Sequence, residues 1–356
     1  NPHGKVYFKL VADAHIFELH VSDAYFFAAR AGFISVESRE ICTRLNQEWP
    51  IQVGYVPDGV DFPADEPAVS FEQKQNIILT VARLGTEQKA TDVLLTAVQE
   101  AHQQLPGWRV RLVGSVSEAF RSYIERYFSR YPEMRDCVEF VGEIVDNAKL
   151  AAEYQRAKIF CLPSRWESFG IVSAEAGKYG CYVVATDLSA QRDIVDGGQY
   201  GTLVPADDAA ALAAALVAVA QDEGRLRRVC AEIPAHIRER FSYQRIAAQL
   251  AQHLAAMPEP LTVDEFMDGY DVVLKKVYAA MVDGQYELAL GRLLQGLQSW
   301  PDGVWAERGG GLWRLMIYGK NLPEQDGVAL ELLRQVLQGA MLRAIAEGML
   351  ISINAL

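Results

Sequence analysis

Histidine and cysteine are scarce in this chain, positive charge is in the minority, and no apolar run is long enough to span a membrane. The six histidines (His3, His15, His20, His102, His236 and His253) show no metal-ligand spacing. The five cysteines (Cys42, Cys137, Cys161, Cys181 and Cys230) are odd in number and scattered, so they read as reduced core thiols of a cytoplasmic protein. Without a membrane-length run or a charged-then-apolar start, neither a span nor a signal segment is expected. Lys and Arg number 34 against 46 Asp and Glu, and the net charge of −12 argues against a nucleic-acid partner. A local exception is Arg225, Arg227, Arg228, Arg238 and Arg240, which fall in one helical region. They read as a solvated face, with peripheral contact to anionic lipid at the inner membrane face as the second reading.

What is present is apolar residue in quantity: half of 356 residues, enough for two domains with sizeable cores. Ile77 to Ala82 is a continuous apolar run of strand length, followed by Arg83-Leu84-Gly85-Thr86-Glu87-Gln88-Lys89 and a helical pattern through Val93, Leu94, Ala97, Val98 and Ala101. Arg83 and Lys89 therefore flank one strand-to-helix loop. Lys158 to Leu162 reads as a second buried strand, and Phe169, Val172, Ala176 and Tyr179 after it follow a helical face. Glu167 sits in the turn between them, and Glu175 lies eight positions on, along the helix.

The chemistry follows from that placement. The sequence predicts a first helical turn over Ser168, Phe169, Gly170 and Ile171, whose N–H groups lack intrahelical partners and favour an anionic phosphate. Gly170 permits close approach. Glu175 suits a pair of sugar hydroxyls such as those of a ribose. In an open α/β sheet ligands sit outside the carboxyl ends of the strands, where both loops would lie, and two cations there can neutralise a diphosphate. Trp108 to Ser115 alternates as a strand ending in the small-residue turn Gly114-Ser115, and Cys137 to Gly142 reads as another strand, with Glu143 to Asp146 entering a helix.

The segment Pro163 to Ala176 resembles the E-x7-E signature of the retaining glycosyltransferases of family 4, which have the GT-B fold. The resemblance continues in order through Val183 to Asp187, Asp196-Gly197 and Gly201 to Pro205, and upstream in an Arg and a Lys at the Arg83 to Lys89 loop. It implies an α/β chain whose Rossmann-like parallel sheet domain binds a nucleoside-diphosphate sugar and passes the sugar to a glycan, lipid or protein. Residues 77–258 would be that domain, 63–76 a linker, and 1–62 an incomplete acceptor-side domain, since a full one would be longer and the start lacks a methionine. By the same resemblance, Arg83 and Lys89 hold the diphosphate with the backbone of Phe169, Gly170 and Ile171. Glu175 holds the ribose, and Glu167 contacts the donor sugar near its reacting carbon. Ile144 and Lys149 line the base pocket, and the turn at Gly114 and Ser115 flanks the donor. No metal or other cofactor is required.

Asp13 and His15 read as polar surface residues. Residues 259–356 read as a helical extension suited to protein contacts, with Ala280, Gly284, Tyr286, Ala289, Leu293, Leu297 and Pro301 at the spacing of one tetratricopeptide-like helix pair and Gly309-Gly310-Gly311 as a joint. The alternatives are a non-catalytic GT-B subunit that binds a peptide or another transferase, and an enzyme of another reaction type on the same scaffold.

Overall fold

The computed structural model describes residues 7–10, 33–48, 52–63, 69–256, 304–309, 312–317 and 350–355. Asp13, His15 and the tetratricopeptide-like positions lie outside them.

A six-stranded sheet organises the larger unit: β4 (Gln75–Val81), β5 (Arg109–Val113), β6 (Val138–Gly142), β7 (Ala157–Leu162), β8 (Tyr182–Thr186) and β9 (Gly201–Val204). All neighbours are parallel and the order is β6-β5-β4-β7-β8-β9. The central strands are apolar without alternation because helices cover both faces; Ile78, Leu79, Ile159, Phe160, Val183 and Val184 are fully buried. The covering helices are α2 (Thr91–Ala101), α3 (Glu118–Arg130), α4 (Asn147–Arg156), α5 (Ile171–Lys178), α6 (Ser189–Ile194), α7 (Ala209–Gln221) and α8 (Glu223–Phe241). The strand order reverses direction between β4 and β7. At that point the two crossovers depart to opposite sides and leave a crevice at the carboxyl edge.

A smaller parallel sheet, β1 (Tyr7–Leu10), β2 (Phe33–Val36) and β3 (Val53–Tyr55), carries helix α1 (Arg39–Glu48). It docks on the larger unit through polar groups. The Arg39 N–H at the start of α1 donates to Asp193 Oδ2 at 2.8 Å, placing a carboxylate on a helix N-terminus, and Arg192 bridges Asp187 and Glu40. The stretch after Phe241 crosses back to the smaller sheet. Val60 pairs with Ser242, and in α9 (Tyr243–Ala255) His253 stacks on Phe33 with centroids 4.4 Å apart.

Part of the expected linker is built into the larger unit. Phe71 is buried, and Lys74 donates to the carbonyls of Tyr154, Gln155 and Ala157 at 3.3, 3.1 and 2.9 Å, which fixes the approach to β4. The arginines of α8 are committed to partners. Arg225 donates to the Gly201 carbonyl, Arg227, Arg228 and Arg240 pair with Glu72, Glu232 and Asp196, and Arg238 lies over the Phe62 ring. This is the solvated, acid-balanced face that the sequence suggests.

Within residues 259–356 the described segments are strands: β10 (Val304–Gly309) antiparallel to β11 (Leu312–Ile317), and β12 (Leu350–Ala355) parallel to β11. The helical expectation does not hold for these eighteen residues, whose Trp, Ile, Leu and Val content suits a pleated surface. Gly309 pairs with Leu312 at the end of that ladder.

Gly114 shows how closely the carboxyl edge is packed. Its φ of 134° is foreign to L side chains, and a Cβ there would lie 1.9 Å from the Ala82 carbonyl oxygen. Gly114→Ala should therefore cost about 3 kcal/mol in urea denaturation, whereas Gly107→Ala, strained in φ but in open space, should cost about 1 kcal/mol.

Candidate functional site

The site is assembled from the loops that leave the carboxyl ends of β4 and β7. Between β4 and α2 the chain turns through Gly85, whose N–H donates to Thr91 Oγ1 at 2.8 Å, and through Ala90 at φ 44°. This turn carries Arg83 outward into solvent and Lys89 inward. Lys89 Nζ is ion-paired with the Glu167 carboxylate, and the two side chains are 12% and 6% exposed. The sequence placed these residues on separate loops; the strand order brings them together.

Two residues unremarked in the sequence lock the loops to each other. Gln88 accepts from Arg83 Nη2 at 2.8 Å and donates to the Trp166 carbonyl at 3.0 Å. The Arg165 N–H donates to the Gln88 carbonyl at 2.8 Å, and its guanidinium reaches the Glu87 carbonyl, Asp92 and Asp207. Both are polar loop residues whose only signal is tertiary, so no periodicity could have found them.

Helix α5 begins at Ile171, later than the predicted Ser168. Gly170 is its N-cap at φ 79°, a left-handed conformation that ends any helix running into it. Phe169 before it is buried against Phe241, and its carbonyl accepts from Gln191 Nε2 at 2.9 Å. A Cβ on Gly170 would stand 2.2 Å from that same nitrogen, so Gln191 of α6 fixes the loop where only glycine fits. The unsatisfied N–H groups at this terminus are thus those of Ile171 and Val172, since the Ser173 N–H already donates to the Gly170 carbonyl.

Glu175 faces α4 rather than open solvent, and accepts from the Tyr154 hydroxyl at 2.9 Å. Burial raises its pKa above the ordinary carboxylate value, and the Tyr154 hydrogen bond and then the charge of Lys178 oppose the shift. Tyr154 was not picked out by the sequence, where a helical tyrosine reads as core.

The other two loops line up along the same edge. The Gly114 N–H donates to the Gly142 carbonyl at 2.9 Å and the Leu84 N–H to the Ser115 carbonyl at 2.8 Å, so the turns after β4, β5 and β6 are hydrogen-bonded in series. Ile144 is half-buried against the core, and Val145 beside it is 85% exposed. Lys149 is an exposed residue in the first turn of α4, where Asp146 caps the N–H groups of Ala148 and Lys149. A groove of about 490 Å³ between α2 and α7, touching Glu100, Gln104, Ala213 and Val217, has none of these residues in its lining.

Two parallel-sheet units facing each other, with cations and carboxylates at the carboxyl edge of the larger, define a GT-B type α/β fold. Residues 75–222 match the family of glycosyl transferases group 1. Over 172 residues the chain is 33% identical to the phosphatidyl-myo-inositol mannosyltransferase of Mycolicibacterium smegmatis, covering 47% of this chain and 43% of that protein. Over 179 residues it is 30% identical to the lipopolysaccharide core biosynthesis mannosyltransferase LpsB of Rhizobium meliloti, covering 49% of each. The chain thus spans about half the length of the curated relatives it matches. Among solved structures it resembles a sucrose-phosphate synthase of Thermosynechococcus elongatus (TM-score 0.56, 25% identity, 69% of this chain and 66% of that one). It also resembles Anabaena HepE in complex with UDP and glucose (TM-score 0.58, 20% identity, 71% and 72%). No helix among the described residues is long and apolar enough to cross a membrane.

The buried pair makes a thermodynamic signature. Lys89→Met should destabilise the chain by about 3 kcal/mol, because it strands the Glu167 carboxylate away from water. Adding Glu167→Gln to that variant should recover most of the loss. A double-mutant cycle in urea checks this; additive losses would mean the two groups do not depend on each other.

Proposed function

We propose that the chain belongs to a retaining glycosyltransferase that moves a sugar from a nucleoside-diphosphate sugar to a glycan, lipid or protein acceptor, and that it contributes the donor site. The observation that carries this reading is the meeting of Lys89 and Glu167 at the crevice between β4 and β7, with Arg83 on one side and the N-terminus of α5 on the other.

In this reading the diphosphate lies between Arg83, Lys89 and the backbone at Phe169, Gly170 and Ile171. Binding transfers Lys89 from Glu167 to a phosphate oxygen. That shift leaves the Glu167 carboxylate free to accept a hydrogen bond from a hydroxyl of the donor sugar near its reacting carbon. As the glycosidic bond breaks, negative charge grows on the departing phosphate, and the two fixed cations and the helix terminus stabilise it without a divalent metal or other cofactor. Glu175 accepts the ribose hydroxyls, Ile144 and Lys149 flank the base, and the turn at Gly114 and Ser115 borders the donor. Retention of configuration rests on the family resemblance.

The relatives' names suggest mannose as the transferred sugar and a lipid-linked acceptor, and the UDP-bound neighbour suggests uridine among the bases to test. The reading places the chain in the cytoplasm, meeting its acceptor at the inner membrane face.

Titration calorimetry in chelator with uridine, guanosine and adenosine diphosphates tests the proposal. One of them should bind. Glu175→Gln should weaken that binding about tenfold, while Glu167→Gln should not weaken it, because the partner of Glu167 is the sugar and its neutralisation frees Lys89 for the diphosphate. No heat from any of the three would remove the donor site and favour a non-catalytic subunit.

The same titration has a pH dependence. Because Glu175 must be ionised to accept ribose hydroxyls, affinity should fall as pH drops through its folded pKa, which burial holds above the usual carboxylate value. Tyr154→Phe removes a hydrogen bond that lowers this pKa, so the midpoint should move to higher pH.

A further inference from the structure

The smaller sheet sends its own carboxylate to this crevice. Glu37 follows β2 directly, at the carboxyl edge of its sheet, and is 2% exposed. Its Oε1 accepts from Lys9 Nζ of β1 at 3.1 Å, and Lys9 is also paired with Asp58 on the segment that crosses to the larger unit. Across the junction stands Ser168, next in sequence to Glu167, whose hydroxyl favours the ionised form of Glu37. The second oxygen, Oε2, is buried and has no hydrogen-bond partner among the described residues.

Lys9, Glu37 and Asp58 therefore form one cluster, and Glu37 is its member that meets Ser168 on the loop that holds Glu167. One lysine serves two carboxylates, so the cluster keeps an excess negative charge and an unused acceptor. A buried acceptor is destabilising until a donor reaches it. The charge is wrong for phosphate. It suits a neutral group with an O–H to give, placed beside Ser168 and Glu167.

We propose that Glu37 is a specificity-determining residue for the donor sugar, its Oε2 accepting one sugar hydroxyl from the side opposite Glu167. The assignment rests on the donor-site reading above. Burial, and next the charge of Asp58, raise the pKa of Glu37, which is the expected state of a carboxylate whose fixed surroundings give it fewer donors than it can use.

The test uses the full chain, with UDP and UDP-glucose, and GDP and GDP-mannose, titrated calorimetrically into wild type and Glu37→Gln. The variant should bind the free diphosphate as wild type does, which also certifies that it is folded, and should bind the corresponding sugar nucleotide about tenfold more weakly. Monodeoxy versions of that sugar should locate the contact: one of them should bind wild type as weakly as the parent sugar binds the variant, and should show no further loss in Glu37→Gln. An unchanged ratio of sugar-nucleotide to diphosphate affinity would overturn the proposal, and so would an equal loss of both, which would mark Glu37 as a support of the fold. If wild type binds neither diphosphate, the failure belongs to the donor-site reading itself. Ser168→Ala separates the remaining structural account, since a role confined to the Ser168 contact would reproduce the Glu37→Gln loss in this variant.

Discussion

A carboxylate and an ammonium group held together out of water set the constraint on which the candidate site depends. Glu167 and Lys89 lie on loops far apart in sequence, and burying either alone would leave an uncompensated charge. Their pairing holds because β4 and β7 are adjacent, and because Gln88 and Arg165 fasten the two loops through one side-chain and one backbone hydrogen bond. Adjacency of β4 and β7 is in turn the place where the strand order reverses, so the geometry that opens a crevice also supplies the charges that line it.

The restraint continues outward from that pair. Gly170 takes a left-handed conformation that favours glycine, and Gln191 fills the space a side chain would need. The start of α5 is thereby fixed relative to Glu167, with Phe169 anchored in the core and two N–H groups left for a ligand. On the far side, Asp193 and Arg192 hold α1 against α6, which brings the carboxyl edge of the small sheet over the same loop at Ser168. A site formed in this way is preorganised by packing, and most of its supporting residues never meet the ligand.

Much of this was legible in the sequence because it rests on local patterns. The apolar runs at Ile77 to Ala82 and Lys158 to Leu162 mark strands buried on both faces, and the spacing of Arg83, Lys89, Glu167 and Glu175 relative to them marks the loops where ligands gather. The partners of those residues were not legible. Gln88, Arg165, Tyr154, Gln191 and Glu37 act through neighbours dozens of residues away, and a polar residue in a loop or on a helix carries no periodicity that announces such a contact. The start of α5 was misplaced for a related reason: Phe169 fits a helical face by spacing, but the left-handed turn at Gly170 overrides that spacing. In the tail, the short apolar run Leu312–Ile317, broken only by Arg314, carries no alternation to mark a strand, and it was read as helical with its neighbours.

The central claim is that nucleotide sits where the sheet changes direction, between the loops after β4 and β7. A crystal structure of the chain with a bound nucleoside diphosphate measures this directly. The account predicts the two phosphates between the Arg83 and Lys89 side chains and the backbone at Gly170 and Ile171, with the ribose at Glu175 and Lys89 withdrawn from Glu167. Phosphates found at the amino edge of the sheet, in the groove between α2 and α7, or anywhere that leaves the Lys89 and Glu167 pair undisturbed, would contradict it.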